Sequence, residues 1–315
     1  MADKIWIPYM WSKRWLAKDI IHYIRQQNPS AKYLYDIFGG GGSISFEALQ
    51  QWFEKVYYVD LDEWMCNLLT QIKQWIPEDW NKRVSREEFH KIKKNKDAYS
   101  VAMSICWSFG NNRNDYLYWE DREEYKKATH YAVVNQDYSL LEKLWIYIKL
   151  EWKTIEERRL ELKKVFWADG KYTIQHLKAI EHLERLQHLE RLQHLERLQH
   201  LERLQHLEII NKWYKKVEIE TPLDETIVYC DPPYRWTAEY VVQTWRFNYK
   251  ELDKRFRELP CPAYMSEENP HQVALSMAKR RLLSMVNPAT VFEVLYTNWK
   301  ILAPKREISR EQPLF

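Results

Sequence analysis

Glycine is scarce in this sequence. Its 315 residues include 6 glycines and 16 tryptophans, whereas average glycine usage of about 7% would give roughly 22. Four of the six glycines are consecutive, at positions 39–42. The remainder is too small for a fold with many turns, because turns commonly use glycine for backbone conformations that other residues avoid.

Cysteine and long apolar runs are also in short supply. The four cysteines show neither a Cys-x-x-Cys pair nor a regular spacing, which argues against a zinc site and against a disulfide framework. We therefore expect reduced thiols and no metal. No run of about 18 apolar residues occurs, and the first residues lack a charged region followed by an apolar stretch, so we expect no membrane span and a cytoplasmic location.

Charge of one sign is not in excess. Lys and Arg total 48 against 45 Asp and Glu, a formal net charge of +3, which gives only weak attraction to a polyanion. The basic runs at residues 90–96 and 215–216 could contact phosphates. For each run alone, however, a solvated helix face is the commoner explanation.

The first part of the chain has the pattern of a nucleotide-binding sheet. The predicted elements are a helix at residues 17–27, a strand at 33–38, a helix from 44 to 54, a strand at 55–59 and a helix at 63–74. The glycines follow the first strand, and Asp60 ends the second. A glycine turn lets the backbone approach a ligand, and a carboxylate at that strand end can accept hydrogen bonds from ribose hydroxyls. A glycine loop alone is more often a flexible turn, but together with Asp60 it favours a cofactor site.

From about residue 77 to residue 216 this alternation gives way to long polar helical stretches. It resumes with a predicted strand at 226–230, a helix at 249–258, a strand at 262–265, a helix at 271–285 and a strand at 291–296. The fold class is therefore α/β, with a Rossmann-like sheet built from both ends of the chain. Residues 1–76 and 217–315 form its discontinuous domain, and residues 77–216 form an inserted, mainly helical domain.

The insert contains an internal repeat at residues 182–208. The hexapeptide His-Leu-Glu-Arg-Leu-Gln occurs four times from His182 to Gln205 and then begins again. Three residues advance an α-helix by about 300°, so the leucines move around the helix and form no single apolar face. Composition still favours a helix over a solenoid with three residues per side. A spacer arm is at least as good an interpretation as a DNA-reading element.

The sharpest motif is Asp231-Pro232-Pro233-Tyr234, directly after an apolar strand. Prolines fix the loop and offer no amide donor, so the Pro232 carbonyl can face inward. An amine held between this carbonyl and the Asp231 carboxylate donates both hydrogens, which directs its lone pair at an electrophile such as a sulfonium methyl. Tyr234 supplies a ring for stacking a base turned out of a duplex. The four residues alone would also fit a rigid turn with a capping aspartate.

With these motifs in this order, the chain resembles the Dam-like, alpha-group adenine DNA methyltransferases of phages and restriction systems. Residues 7–14 are similar to the family's Tyr-x-Gly-Ser-Lys cofactor motif. In that family the cofactor motifs come first, the target-recognition region lies in the middle and the catalytic loop comes late, as here. Further, less specific matches are at residues 106–112 and 293–298.

The resemblance implies a Rossmann-like fold that binds S-adenosylmethionine (SAM), with a target-recognition region at 77–216. It implies methyl transfer to the N6 amine of adenine in double-stranded DNA. A monomer is expected, and a cognate restriction endonuclease is a further possible partner. The implied catalytic residues are Asp231, Pro232, Pro233 and Tyr234. The implied cofactor residues are Tyr9, Lys13, Asp36, Phe38, Gly40, Gly42, Asp60 and Asp231. Lys13 alone would also fit an ordinary surface lysine.

The sequence departs from the family where the family has glycine. Trp11, Trp119 and Trp236 stand at such positions. With the glycine deficit, this suggests the hypothesis that UGA codons mean glycine in this gene and have been translated as tryptophan. UGG codons at these positions would refute it. If the tryptophans are real, indoles beside the site risk overpacking and loss of activity.

Two other functions stay open from the sequence. Related loops serve cytosine N4, ribosomal RNA or a glutamine side chain, because all of these present planar amines. A nucleic-acid-binding protein that has lost catalysis is a second alternative, with the repeat as an interaction arm. Binding of SAM separates the last alternative from an enzyme.

Overall fold

The structure is a computed structural model, and it describes residues 7–9, 12–151, 154–168, 186–233, 247–267, 276–283 and 288–298. These residues group into two compact units. The sheet unit contains residues 12–70 and the described residues from 201 onward. The central unit contains residues 7–9 and the described part of 71–200.

The described strands are β1 (Tyr33–Ile37), β2 (Lys55–Asp60), β3 (Leu207–Asn211), β4 (Thr226–Cys230), β5 (Ala263–Glu267), β6 (Ser276–Leu283) and β7 (Pro288–Thr297). They form one sheet in the order β3-β2-β1-β4-β5-β7-β6. Strands β1 to β5 pair in parallel, and β7 pairs antiparallel with both β5 and β6. This open, mostly parallel sheet confirms the predicted α/β class with a Rossmann-like sheet.

Strands β1 and β4 are central in the sheet, and their sequences explain why. All five residues of β4 and four of the five in β1 are buried. Continuous apolar runs suit parallel strands that are covered on both faces. The structure therefore places the two strands that carry the predicted motifs in the middle of the core.

The described helices are α1 (Ala17–Gln27), α2 (Ser43–Gln50), α3 (Glu63–Gln74), α4 (Arg86–Ile92), α5 (Ala98–Cys106), α6 (Glu120–Asn135), α7 (Ser139–Lys143), α8 (Ile155–Ala168), α9 (Gln187–Gln199) and α10 (Tyr249–Glu258). The predicted bounds of α1, α3 and α10 are confirmed. Helix α2 begins at residue 43, one residue earlier than predicted, and ends at residue 50 instead of 54. None of the helices in the described part of the chain is both long and apolar enough to cross a membrane.

One predicted helix is wrong. Residues 271–285 were expected to be helical, because they are rich in Ala, Leu, Met, Lys and Arg. Instead, residues 276–283 form strand β6, paired with β7 over most of its length. Strand β7 carries the β-branched and aromatic run around residues 290–296, and pairing with such a strand overrides local helix propensity.

The repeat contributes a buried helix to the central unit. Helix α9 covers two copies of the hexapeptide, and its leucines 189, 192, 195 and 198 are all buried. Leucines that move around a helix require apolar neighbours on several sides, and such a helix is stable inside a core. The predicted helix is confirmed for residues 187–199, and an exposed spacer arm does not describe them. Residues 182–185, where the repeat begins, lie outside the described residues.

The repeat helix is anchored by polar contacts as well as by leucine. The Arg191 guanidinium donates to the carbonyls of Cys106 (2.8 Å) and Ser108 (2.6 Å), at the end of α5. The Cys106 carbonyl is one of those that a helix end leaves without a partner inside the helix. Both partners of Arg191 lie in the same unit as α9, so the contact is part of that unit's own packing.

The fourth copy of the repeat, at residues 200–205, and the residues that follow it are not part of this helix. Residues 204–206 form a short 3-10 helix and residues 207–211 form β3, which pairs with β2 in the sheet unit. The sequence assigned residues 207–211 to the insert, but they complete the sheet. The functional division into a catalytic domain and a target-recognition domain (77–216) stays a prediction.

Candidate active site

The two strands that precede the predicted motifs are neighbours. Strands β1 and β4 pair in parallel with Ile37 opposite Cys230. One step further on, the backbone N–H of Asp231 donates to the carbonyl of Ile37 over 3.2 Å. The glycine loop and the Asp-Pro-Pro loop therefore leave the same edge of the sheet side by side, at the carboxyl ends of the strands where open α/β sheets bind ligands.

The glycine loop is shaped by contacts that only glycine allows. A Cβ atom at Gly39 would lie 2.3 Å from the ring of Tyr58, whose hydroxyl donates to the carbonyl of Gly40 over 2.7 Å. Gly42 has a φ of +71°, in the left-handed region that costs glycine little. Phe38 adopts a φ of 69° without being glycine. Such strain concentrates at functional sites.

Asp60 lies at the end of β2, facing this loop. Its carboxylate accepts hydrogen bonds from the backbone N–H groups of Gly40 (2.7 Å) and Asp62 (2.8 Å). Desolvation by burial raises the pKa of Asp60, and the two backbone hydrogen bonds oppose that rise. Each carboxylate oxygen can accept a second hydrogen bond, so Asp60 retains capacity for a ligand.

Asp36 lies behind the loop and faces helix α2. It is only 1% exposed, and one of its oxygens accepts both the backbone N–H (3.0 Å) and the hydroxyl (2.6 Å) of Ser45. Burial raises the pKa of Asp36 to about 7; the Ser45 bonds lower it, and the nearby Asp231 carboxylate raises it further. This geometry makes Asp36 a residue that positions α2 and the glycine loop.

Lys13 reaches the Asp-Pro-Pro loop. Its ammonium nitrogen lies 3.2 Å from an oxygen of the Asp231 carboxylate, and the side chains are 8% and 19% exposed. Beside this ion pair, the hydroxyls of Ser12 and Ser43 lie 2.7 Å apart, which links the amino-terminal motif to the first residue of α2. Two segments that the sequence predicted for one site are thus in direct contact.

An aromatic cluster borders the glycine loop. The Phe38 ring has its centroid 5.3 Å from that of Tyr214 and 5.6 Å from that of Phe247. Of these rings, the sequence analysis identified only Phe38. Tyr214 and Phe247 lie outside every motif, so only the folded chain brings them to the loop.

Tyr249 was also missed by the sequence analysis. Its hydroxyl donates to the carbonyl of Pro233 over 2.9 Å, and its ring contacts Phe247 edge-on at 4.8 Å. Tyr249 is the first residue of α10, and the Asn248 side chain caps that helix by accepting from the N–H of Glu251. The capped helix start was a visible signal, but nothing in the sequence linked it to the proline loop.

The site described above does not include every residue that the sequence analysis named. Tyr234, Trp11 and Trp236 lie outside the described residues. Tyr9 belongs to the central unit. Its role, and the role of Tyr234 as a stacking ring, stay predictions.

Comparison with known families decides which chemistry this site serves. The model of the D12 class N6 adenine-specific DNA methyltransferases matches residues 9–307. The chain belongs to this family. The match covers both strand ends that form the site, as well as the inserted region between them, and it confirms the predicted Dam-like resemblance. No curated protein matches the chain.

Membership gives the reaction: the methyltransferase transfers a methyl group to the N6 amine of adenine in DNA. No observation favours methylation of cytosine, RNA or protein, or a role in binding alone. The amine of adenine is the planar group for which the Asp-Pro-Pro loop was proposed from the sequence. Family membership does not identify the residues of the methyltransferase that bind the methyl donor and the base.

Proposed function

We propose that the methyltransferase takes its methyl group from SAM, bound at the carboxyl ends of β1, β2 and β4. The observation that carries the proposal is the hydrogen bond from the N–H of Asp231 to the carbonyl of Ile37. It fixes the catalytic loop beside the glycine loop, so that a donor held by one loop meets an amine held by the other. When bound, SAM supplies an electrophilic methyl group on a sulfonium.

The side chains around the glycine loop fit this donor. The Asp60 carboxylate is held by two backbone N–H groups and can accept further hydrogen bonds from ribose hydroxyls. The Phe38 ring, supported by the inclined rings of Tyr214 and Phe247, offers an apolar face for an adenine ring. Lys13 provides a positive charge for the carboxylate of the methionine part. Gly40 and Gly42 keep the loop free of side chains, and Asp36 holds it in place from behind.

The proposed catalytic groups are the Asp231 carboxylate and the Pro232 carbonyl. Each accepts one hydrogen of the adenine amine, which orients the nitrogen lone pair toward the methyl group. Lys13 favours the ionised, hydrogen-bond-accepting form of Asp231, because the two charges are 3.2 Å apart. The Tyr249 hydroxyl fixes the carbonyl of Pro233 and so limits movement of the loop. Tyr234 is proposed to stack on the base after it leaves the duplex.

The finer features of the proposal rest on the family resemblance. These are a double-stranded DNA substrate, a target-recognition role for residues 77–216, action as a monomer, and a restriction endonuclease as a cognate partner. The presence of an endonuclease gene beside this one, and methylation that blocks its cleavage, would test the partnership.

Calorimetric titration with SAM tests the cofactor site. Asp60→Asn removes the charge but keeps one accepting oxygen, so we expect SAM binding at least about tenfold weaker, because hydrogen bonds to charged groups contribute about 1.5–3 kcal/mol. Asp224→Asn is the matched control. Asp224 is exposed in a short turn before β4, and its substitution should leave affinity unchanged.

Two outcomes would contradict the proposal. If the protein binds duplex DNA but no SAM, the donor site is wrongly assigned. If Asp60→Asn and Asp224→Asn bind SAM equally well, the donor binds elsewhere.

A further inference from the structure

The backbone after helix α2 has a conformation that calls for glycine, yet the residue there is Trp52. Its φ is +66°. The N–H of Phe53 donates to the carbonyl of Ala48 and the N–H of Trp52 donates to that of Leu49, both over 3.2 Å. This pair of hydrogen bonds defines a Schellman motif, in which the left-handed residue after the helix is usually glycine.

The same arrangement occurs independently after helix α7. Trp145 has a φ of +60°. The N–H of Ile146 donates to the carbonyl of Leu141 and the N–H of Trp145 to that of Glu142, both over 2.9 Å. Two Schellman motifs in the described chain thus carry tryptophan at the position where a side chain is most costly.

Burial of the side chain does not compensate for the free-energy cost of the left-handed backbone at either tryptophan. Trp52 is 62% exposed and Trp145 is 75% exposed. The Arg203 guanidinium lies 4.9 Å from the centre of the Trp52 ring, but cation–π contacts at exposed sites are weak. By contrast, Trp80 and Trp107 are 3% and 1% exposed, as expected for the largest side chain in a core.

Left-handed backbone alone is not the signal. Gln136, after α6, also has a positive φ of 57°, and it is not tryptophan. The signal is the coincidence of a glycine conformation, high exposure and tryptophan at the same two residues. Trp119 does not share this signal, because its φ is −69°. The hypothesis of a native glycine at position 119 rests on the family pattern alone.

We infer that the native protein has glycine at positions 52 and 145, encoded by UGA codons that the written sequence renders as tryptophan. The inference uses no family motif, so its evidence is independent of the evidence for positions 11, 119 and 236. It extends the same hypothesis to two further positions. It also accounts for 6 glycines beside 16 tryptophans. Trp80 and Trp107 are genuine tryptophans, encoded by UGG, because each is buried.

The inference has a functional consequence. In a cell that reads UGA as a stop signal, synthesis would end no later than residue 51. The product would lack β2, Asp60 and the whole catalytic loop. The full-length methyltransferase is therefore made only in cells that read UGA as an amino acid, and it carries glycine at positions 52 and 145 only in cells that read UGA as glycine.

Sequencing of the gene and of peptides from its own cells tests the inference directly. We expect UGA at codons 52 and 145, UGG at codons 80 and 107, and peptide masses that contain glycine at 52 and 145. A UGG codon at 52 or at 145 would overturn the inference, and so would peptides with tryptophan at those positions.

Thermal unfolding of recombinant variants gives a second test. Trp52→Gly and Trp145→Gly should each raise the unfolding midpoint by about 2–4 °C, because each relieves a left-handed non-glycine residue. Gln136→Gly measures the rise in midpoint that is gained when glycine replaces another left-handed residue after a helix. Trp75→Gly is the matched control: Trp75 is 48% exposed, and its φ is not positive, so glycine there should bring no gain. Unchanged or lower midpoints for both Trp52→Gly and Trp145→Gly would overturn the conformational argument. Neither test involves SAM, so failure here is distinct from failure of the cofactor proposal.

Discussion

The sheet unit and the central unit each contain polar side chains that differ in exposure: an open cluster of Asp60 and Asp231, and a sealed cluster of Tyr118, His130 and His188. In the sheet unit, Asp60 and Asp231 are only partly buried and lie at the strand ends. In the central unit, Tyr118, His130 and His188 are 7%, 1% and 0% exposed. Polar groups open to a ligand at strand ends can serve chemistry, whereas sealed ones can only serve the fold.

The sealed cluster is a hydrogen-bonded chain. The Tyr118 hydroxyl lies 2.7 Å from Nδ1 of His188, and Nε2 of His188 lies 2.9 Å from Nδ1 of His130. The ring of Trp107 stacks on His188 with centroids 3.8 Å apart. Because His188 comes from the repeat, these contacts fix which residues of the repetitive helix face this core. A buried hydrogen-bonded chain of this kind is suited to specifying one register, although Nε2 of His130 has no hydrogen-bond partner in the described part of the chain.

The largest expected effect is loss of activity at the open cluster. Asp231→Asn keeps the size of the side chain but removes the charge that is proposed to hold the amine, so methyl transfer to DNA should fall at least about 10²-fold. The free energy of unfolding should change little by comparison. Steady-state methylation and urea unfolding measure the two quantities.

Asp253→Asn is the control for this substitution. Asp253 is half exposed on α10 and pairs with Arg257, so activity should be unchanged. Residual activity of Asp231→Asn above a tenth of the wild type would show that Asp231 does not hold the amine.

Substitution in the sealed cluster should lower stability, whereas substitution of Asp231 should lower activity. His188→Ala removes two hydrogen bonds and a stacked ring, so it should lower the free energy of unfolding by about 2–4 kcal/mol. His200→Ala changes the same residue of the same hexapeptide two copies later, where the side chain is exposed; it should cost less than about 0.5 kcal/mol. Equal costs in urea titrations would mean that the copies are equivalent and that α9 is not in a fixed register.

The sealed cluster and the buried Asp36 of the sheet unit should also respond to pH with opposite signs. Burial lowers the pKa of His188 well below its usual value and that of His130 to about 3. In the unfolded chain both rings bind protons below about pH 6.5. Their stabilising contribution is therefore present above that pH and is lost as the pH falls.

Asp36 works in the other direction. Its pKa is raised to about 7 in the fold from 3.8, so the fold keeps a proton that the unfolded chain releases, and stability falls as the pH rises from about 4 to 7. Relative to the wild type, Asp36→Asn should thus become more favourable between pH 5 and pH 7, and His188→Ala less favourable. Urea midpoints with the same pH trend for both variants would refute this assignment.

The sequence predicted the ends of helices and strands well where a proline-containing motif follows the element. Helix α1 ends before Asn28-Pro29, and the apolar run of β4 stops at the Asp-Pro-Pro motif. Strong local signals of this kind limit where an element can end. The site could be assembled from sequence for the same reason, because both of its loops follow such strands.

The sequence could not predict what depends on partners distant in the chain. Identical hexapeptides form α9 at residues 188–199 and an irregular segment at 200–205, so local sequence cannot decide between them. Strand β6 is formed from residues of helical propensity because β7 lies beside it. Tyr249 and Ser45 acquire their roles only through contacts with Pro233 and Asp36.

The central claim is that one edge of the sheet unit delivers a methyl group to the amine of adenine. Incubating the protein with methyl-labelled SAM and duplex DNA, and then digesting the DNA to nucleosides, tests it most directly. The account predicts label in N6-methyladenine, and at least about 10²-fold less label when Asp231→Asn replaces the wild type. Label in N4-methylcytosine, or equal label with both proteins, would contradict it.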